Sequence, residues 1–575
     1  VSGQPLWSGW NGPPARCGGR PARRSHCAEH APNNSIVCCA EARRQVAAEN
    51  GQVGRSTLNL TLALVRSLCR RFATAVCGPQ QFESVPSSPR ATRRLQIAGT
   101  AFVVVWLACV LAAFGQTPPP KKGGKGKGGP GNGEVKMPTP AFRTEVPARS
   151  HDVLLGRPTR DSVSASVLAF RELEVFIEHG TTAGNYTKQT ATVKLPPGEP
   201  RVLELTGLAA NTRHFYRLRH RSGGAGEFAA DPERSFHTAR AAGSAFTFTV
   251  QADPHLDFGT EPEVYKQSLT NALAAQPDFH VDLGDTFMTD KYTDFKLAAP
   301  QYLAQRYYFG LVGHSAPVLL VLGNHDGETL GRGGDTTMAA WSNAMRKKYF
   351  PNPEPNAFFT GNATPHAQAG RLQDYYAFEW GDALFIALDQ FWFSAKPRGG
   401  GKDGDNWWRT LGAEQYGWLR RTLETSRAKF IFVFTHHLVG GATPEGRGGA
   451  EASRLFEWGG QELDGRNTFA QKRPDWPAPI HDLLAKRGGC IVFHGHDHLY
   501  VRAERDGVVY QEVPQPGHGR GTTRSAEEYS YRSGIILPSS GILRVRVTPA
   551  EAAVDYVKAD AAGTVLHRYA VGGAR

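Results

Sequence analysis

The stretch CIVFHGHDHLY, Cys490–Tyr500, places three histidines and one aspartate within five residues, directly behind a short apolar run. A brief apolar run closed by glycine reads as a buried strand. Polar, metal-capable groups crowded at its exit read as ligands delivered from a strand end. Four earlier stretches repeat the pattern. FTFTVQADPH (246–255) ends in Asp253-Pro254-His255, and FHVDLGD (279–285) ends in Gly284-Asp285. PVLLVLGNHD (317–326) ends in Gly323-Asn324-His325-Asp326, and KFIFVFTHH (429–437) ends in His436-His437. Between the strands lie helix-forming segments such as EPEVYKQSLTNALAAQ and EQYGWLRRTLETSR. That alternation predicts a layered α/β domain over 245–575. In layered sheets the loops leaving the carboxyl ends of the strands form the active crevice.

Singly, each piece carries little. A lone Asp-x-His or Gly-Asp is common, and a lone buried histidine is usually hydrogen-bonded core. Five strands delivering Asp, His and Asn at one end form a constellation. Alternate residues of an extended segment face the same way, so His496 and His498 are expected to reach one site with Asp497 turned aside. Imidazole and carboxylate without thiolate suit Zn, Mn or Fe. Asp253, His255, Asp285, Asn324, His436, His496 and His498 make seven candidate ligands. One ion does not need seven. Two ions about 3.5–4 Å apart and sharing a carboxylate do. Gly284, Gly323 and Gly495 stand next to ligand-bearing residues and permit close backbone approach.

The order DxH, GD, GNHD, H and GHxH resembles the calcineurin-like metallophosphoesterase superfamily over roughly residues 245–560. The resemblance implies that Asp253, His255 and His498 bind a first metal, that Asp285 bridges, and that Asn324, His436 and His496 bind a second. It implies that His325 lies beside the phosphoryl oxygen and the leaving group; Asp326 is expected to orient its ring. His280 and Asp282, on the strand before Asp285, are read as structural. The expected reaction is hydrolysis of a phosphate ester by attack of a metal-bridging hydroxide, with His325 supplying a proton to the leaving oxygen. A phosphodiesterase or nucleotidase of the same superfamily, or a non-catalytic exported metal-binding module, are the alternatives. A β-domain ahead of this domain is similar to the layout of purple acid phosphatases. Their first motif lacks the histidine present here as His255, and Met288 stands where they have a tyrosine, so their iron–tyrosinate chromophore is not expected.

The loops 326–362 and 389–410 are expected to wall the crevice. Trp392, Trp407 and Trp408 are read as packing these loops, with stacking on an aromatic or sugar group as the other reading; Arg332 and Arg398 are read as solvated loop charges. The C-terminal GILRVRVTPAEAAVDYVKADAAGTVLHRYAV reads as strands closing the second sheet of a four-layer α/β/β/α sandwich.

Ahead of this domain, residues 144–240 hold six or seven short alternating runs between turn residues, which predicts a small all-β sandwich. LTGLAANTRHFYRLR (205–219) resembles the fibronectin type III pattern, in which a Leu and a Tyr pin two facing sheets. His214, His220 and His237 lack acidic neighbours in sequence and are read as surface or packing residues.

Residues 1–135 carry 17 Lys+Arg against 5 Asp+Glu, so +12 of the net +13 sits there and the other 440 residues are nearly neutral. The folded part has no basic footprint, which argues against nucleic acid; the resemblance implies a small phosphate ester as the partner. Seven of the eight cysteines precede residue 110. Cys490 alone follows, so the main body has no disulfide framework or thiolate cluster, and Cys490 is read as core. Arg90, Arg93 and Arg94, the apolar Ile97–Phe114 and the small residues Ala113 and Gly115 read as an export signal over 90–115. The protein is therefore expected to be periplasmic, secreted or at the cell surface, with a membrane tether if residues 97–114 are retained. Residues 1–89 read as a non-native or disordered extension. The Pro/Gly/Lys-rich 116–143 reads as a flexible linker.

Overall fold

Strong apolar strands separated by amphipathic segments dictate the architecture of residues 246–574. The computed structural model describes residues 142–224, 226–330, 336–395 and 405–574. The extension 1–89, the export signal, the linker up to 141, the seven early cysteines, Arg332 and Arg398 lie outside the described residues. Among the described residues, no helix is long and apolar enough to cross a membrane.

The N-terminal part has nine strands: β1 His151–Gly156, β2 Ser162–Ala169, β3 Leu173–Gly180, β4 Lys188–Gln189, β5 Val193–Leu195, β6 Arg201–Thr206, β7 Arg213–Arg221, β8 Ala229–Ala230 and β9 Arg234–His237. One sheet has the order β1-β2-β6; the other has β4-β3-β7-β8, with β5 on β3 and β9 on β7. Alternation in LEVFIEHG buries Leu173, Val175 and Ile177 against Val163, Val167 and Leu205 of the facing sheet. Tyr216 does more than pin the sheets. Its hydroxyl donates to the His314 carbonyl of the following domain at 2.5 Å. The reading of His220 as partnerless is corrected: folding brings its Nε2 to 3.4 Å from Asp231 Oδ1, while His151 Nε2 holds Oδ2 of the same carboxylate at 2.8 Å. Sequence distance hid this, because Asp231 and His151 come from different strands' ends.

The second domain has β10 Phe246–Gln251, β11 His280–Asp282, β12 Val318–Leu320, β13 Thr360–Gly361, β14 Tyr376–Trp380, β15 Ala383–Ala387, β16 Phe430–Phe434, β17 Cys490–His494, β18 Leu499–Arg505, β19 Val508–Glu512, β20 Ile535–Pro538, β21 Gly541–Val547, β22 Glu551–Lys558 and β23 Val565–Gly572. Five helices matter here: α1 Pro262–Ala274, α2 Ala299–Gly313, α3 Thr337–Tyr349, α4 Gly412–Thr425 and α5 Ile480–Arg487. The sheets have the orders β12-β11-β10-β21-β22-β23 and β13-β14-β15-β16-β17-β19-β18-β20. Parallel neighbours need crossover connections. α1 and α2 supply them for β10, β11 and β12; α4 and α5 supply them for β15, β16 and β17. The last three strands complete the sheet begun by β10 rather than the later one, because β21 pairs antiparallel with β10.

Between the sheets lies a phenylalanine-rich core. Phe248 packs on Phe279, Phe385 and Phe432 with ring centroids 5.1–5.5 Å apart. Each such ring, fully buried, contributes roughly 1.5–3 kcal/mol. Outside one sheet, Tyr265 and Leu269 of α1 pack on Tyr308 and Val312 of α2. Outside the other, Tyr416, Leu419 and Leu423 of α4 pack with Ile480 and Leu484 of α5. The four-layer α/β/β/α order follows. Cys490 is buried and free, as expected of a core residue. Fully buried Arg306 of α2 joins the two domains: it pairs with Asp152 of β1 at 2.5 Å and donates to the Ser166 carbonyl at 2.7 Å.

Candidate metal centre

β10, β11 and β12 run parallel in one sheet, and β16 and β17 run parallel in the other. Their carboxyl ends deliver the seven candidate ligands to one edge of the double sheet. His436 Nδ1 lies 2.9 Å from the Leu283 carbonyl, which fixes the tautomer and turns Nε2 inward. Around that Nε2 stand Asn324 Oδ1 at 3.0 Å, His496 Nδ1 at 3.2 Å and Asp285 Oδ2 at 3.2 Å. A second group forms beside it: His498 Nε2 lies 3.3 Å from Asp253 Oδ1 and 3.4 Å from His255 Nε2. Donors each about 2.1 Å from one ion stand about 3.0–3.4 Å from each other, so both groups have ligand spacing. Asp253 Oδ1 is buried without a hydrogen bond. A buried carboxylate oxygen facing imidazole nitrogens fits a cation. Each group takes residues from both sheets.

Asp253, Asp285, His496 and His498 all have left-handed backbones, with φ of +56°, +55°, +82° and +60°. Asp and His are among the non-glycine types that adopt this region most often, and its use at four ligands concentrates strain at the site. It also corrects the extended-strand argument for His496 and His498. β17 ends at His494, and the two ligands leave a tight loop in different directions, one to each group. Asp497 does turn away: its carboxylate accepts from Arg447, from the Gly448 amide and from Tyr531. Two close approaches require glycine. A Cβ on Gly323 would strike the Asp285 backbone and carboxylate, and one on Gly495 would lie 2.6 Å from Asp253 Oδ2.

His325 lies at the mouth of the site, its amide donating to Asp285 Oδ1 at 2.8 Å. Asp326 does not orient its ring. The Asp326 carboxylate accepts from the amides of Gly323, Asp285, Thr286 and Phe287, locking the two ligand loops together. Asp290 holds the ring instead, with its carboxylate oxygens 2.9 and 3.0 Å from His325 Nδ1. Four unpaired amides in a tight turn claim the nearest carboxylate, and Asp290 arrives from a short helical turn with no strand to announce it. Of the histidine pair, His436 is the inward one; His437 is buried against Gln390 and Arg409. His280 and Asp282 are structural, bonded to Thr249 and to Gln251 and Thr286.

Three further residues escaped the sequence reading. Gln515 Nε2 lies 2.7 Å from His255 Nε2, and Asp257 bridges His255 Nδ1 at 3.0 Å and His518 Nε2 at 3.3 Å. β19 runs parallel to β17, so VVYQEVPQPGH is a sixth strand opening at the same edge. That was the available signal.

Burial opposes charge on His436, but Asp285 and Asp253 outweigh it and hold the imidazole up at about 9. Burial likewise opposes ionisation of Asp285, yet His436 and His325 hold its carboxyl well below the usual range. Against burial, Asp285 and Asp290 raise His325. The site thus favours the ionised carboxylates and the protonated form of His325. Beside it opens a cleft of about 710 Å³ lined by Asn324, His325, Gln390, Trp408, Arg409 and Arg447. Trp392 and Trp407 are buried and donate to Glu328 and Glu462, so they pack the loops as expected. Trp408 lines the cleft.

Residues 246–500 match the family model of calcineurin-like phosphoesterases. A solved structure of PhoD shares 14% identity and covers 73% of this chain and 88% of that one, with a TM-score of 0.51; at that identity the likeness is one of fold. GAP50, the anchor in the inner membrane complex of Plasmodium, shares 14% identity over 58% of this chain and 90% of that one, with a TM-score of 0.33. No curated protein matches the chain in sequence. The match makes residues 246–500 a calcineurin-like phosphoesterase domain, and the protein a metal-dependent phosphoric ester hydrolase.

Proposed function

We propose that the protein is an exported enzyme that hydrolyses phosphate esters with two metal ions, Mn, Fe or Zn. Asp253, His255 and His498 would hold one; Asn324, His436 and His496 would hold the other; Asp285 would be shared. One observation carries this reading: two adjacent ligand groups, each drawn from both sheets, lie at a cleft with a carboxylate-oriented histidine at its mouth. The ions, when bound, would supply a water acidic enough to deprotonate near neutral pH and would neutralise phosphoryl charge. The chain's own residues do the rest. His325, fixed at Nδ1 by Asp290, presents Nε2 to the phosphoryl oxygens and passes its proton to the leaving oxygen. Asp326 keeps the loops carrying Asp285 and Asn324 in register. Arg447 donates to the His496 carbonyl and to Asp497, holding the ligand loop against the cleft.

A diester reading has one observation in its favour. A second cleft of about 590 Å³, lined by His498, Gln515, His518 and Arg520, opens on the other group and would take a second ester arm. The test is metal add-back after chelation, comparing p-nitrophenyl phosphate with bis-p-nitrophenyl phosphate. Activity restored only with two equivalents of metal supports the reading; no hydrolysis of either ester with Mn, Zn or Fe overturns it. Export rests on the 90–115 signal, which predicts a mature protein beginning at Gln116; N-terminal sequencing checks this.

A further inference from the structure

Three arginines are buried among the described residues: Arg306, Arg346 and Arg409. Arg306 pairs with Asp152, and Arg346 pairs with Glu328, both at 2.5 Å. Arg409, 9% exposed, has no carboxylate within ion-pair distance among the described residues. Its Nη1 donates to His437 Nε2 at 3.3 Å and its Nη2 to the Pro444 carbonyl at 2.9 Å. Its Nε has no partner. A buried guanidinium held only by neutral acceptors is costly unless an anion completes it. Two further polar atoms of the same cleft wall are orphaned: Trp408 Nε1 and Gln390 Oε1. The three side chains act as one unit. The Arg409 guanidinium stacks 4.5 Å from the Trp408 ring centre, and Gln390 donates to the His437 carbonyl beside the same imidazole that Arg409 contacts. All line the cleft that His325 and Asn324 open into. Among the described residues, the carboxylates of that lining are Asp290, engaged with His325, and exposed Glu445.

We propose that Arg409 and Trp408 form a second anion subsite, which binds a carboxylate or second phosphate on the leaving group of the substrate. The inference rests on the phosphate-ester reading above and specifies its substrate class: esters of acidic alcohols rather than neutral ones. The reacting phosphoryl oxygens are served by His325 and the ligand groups, and the Arg409 fork is left for another oxyanion. The Trp408 indole N–H adds a neutral donor, and Gln390 Oε1 accepts from a hydroxyl between the two anions.

The test compares matched esters: 3-phosphoglycerate against glycerol 3-phosphate for a carboxylate, and 1,3-propanediol bisphosphate against propyl phosphate for a phosphate. The expected kcat/KM ratio of charged to neutral partner is at least about ten-fold in the wild type for one pair or both, and which pair identifies the anion. It falls to about one in Arg409→Gln, and drops by about three-fold in Trp408→Phe, which keeps the ring and loses the donor. Reading a ratio cancels any general loss of activity, and circular dichroism confirms that each variant folds. A wild type without preference, or a ratio unchanged in Arg409→Gln, overturns the subsite. Calorimetric titration with glycerate and with inorganic phosphate separates this from failure of the phosphoesterase reading. If no ester turns over, binding of glycerate or of inorganic phosphate that Arg409→Gln abolishes still supports the subsite, and no binding of either to the wild type overturns it.

Discussion

Asp285, His436 and His496 are buried, and their donor atoms crowd to 3.2 Å around His436 Nε2. Asp253 and His255 share their site with His498, whose side chain is 41% exposed, and their donors stand 3.3–3.4 Å apart. The first group is tied from behind, by the Leu283 carbonyl on His436 and by Arg447 on the His496 loop. The second is tied from the side, by Gln515 and Asp257, and opens to its own cleft. Two groups with the same chemistry thus differ in access. A buried, doubly anchored group retains an ion, while a half-open one exchanges it.

The largest effect is expected where the comparison is broken at its centre. If Asp285 serves both groups, Asp285→Asn lowers kcat by about 10³-fold or more and releases both ions. Retention of two ions, read by elemental analysis, would confine Asp285 to one group. Next, His325→Ala is expected to cost about 10²–10⁴-fold in kcat with metal content intact. Asp290→Asn costs less, about ten-fold, and moves the alkaline limb of the pH–rate profile down, because Asp290 helps raise His325 and the acid form is the working one. An unmoved limb would remove His325 as the proton donor. Smaller again, chelator dialysis is expected to release one ion about ten-fold faster than the other. His498→Ala should remove the fast phase and His436→Ala the slow one; simultaneous release in the wild type would erase the distinction.

The last effect falls on stability rather than activity and concerns what lies behind the buried group. His280, buried on β11, is pushed down to about 3 by desolvation. Its folded value lies below the unfolded value of about 6.5. The stability it contributes is therefore present above pH 6.5 and lost as pH falls towards 3, by up to about 4–5 kcal/mol. Asp282, pushed up to about 8 by burial, acts with the opposite sign: its contribution is lost as pH rises from about 3.8 to 8. His280→Gln should flatten the acid limb alone in pH-dependent denaturant melts. An unchanged limb would move the acid sensitivity elsewhere.

Much of the site was legible because strand exits have a signature: an apolar run, a glycine, then Asp, Asn or His. Asp285, Asn324, His496 and His498 carry that signature in full, Asp253, His255 and His436 follow their apolar runs without the glycine, and all seven meet at one edge. Asp290 and Asp257 carry none. They lie in irregular segments whose positions are set by packing, and Gln515 belongs to a strand whose parallel pairing with β17 decides where it opens. The Asp326 misreading has the same origin. Chain proximity to His325 suggested a side-chain partner, but four backbone amides from two loops reached the carboxylate first.

Residue type and order alone determined the alternation of strands and helices, the ligand chemistry and the near-neutral charge of the folded part, since these depend on local pattern and composition. Which candidate ligands cluster together, which aspartate holds the His325 ring, which sheet the last strands join and which buried arginine has no carboxylate at ion-pair distance among the described residues were decided only by tertiary structure. Each of these is a relation between segments tens to hundreds of residues apart, and only the closing of two sheets on one phenylalanine core brings them within a few ångströms.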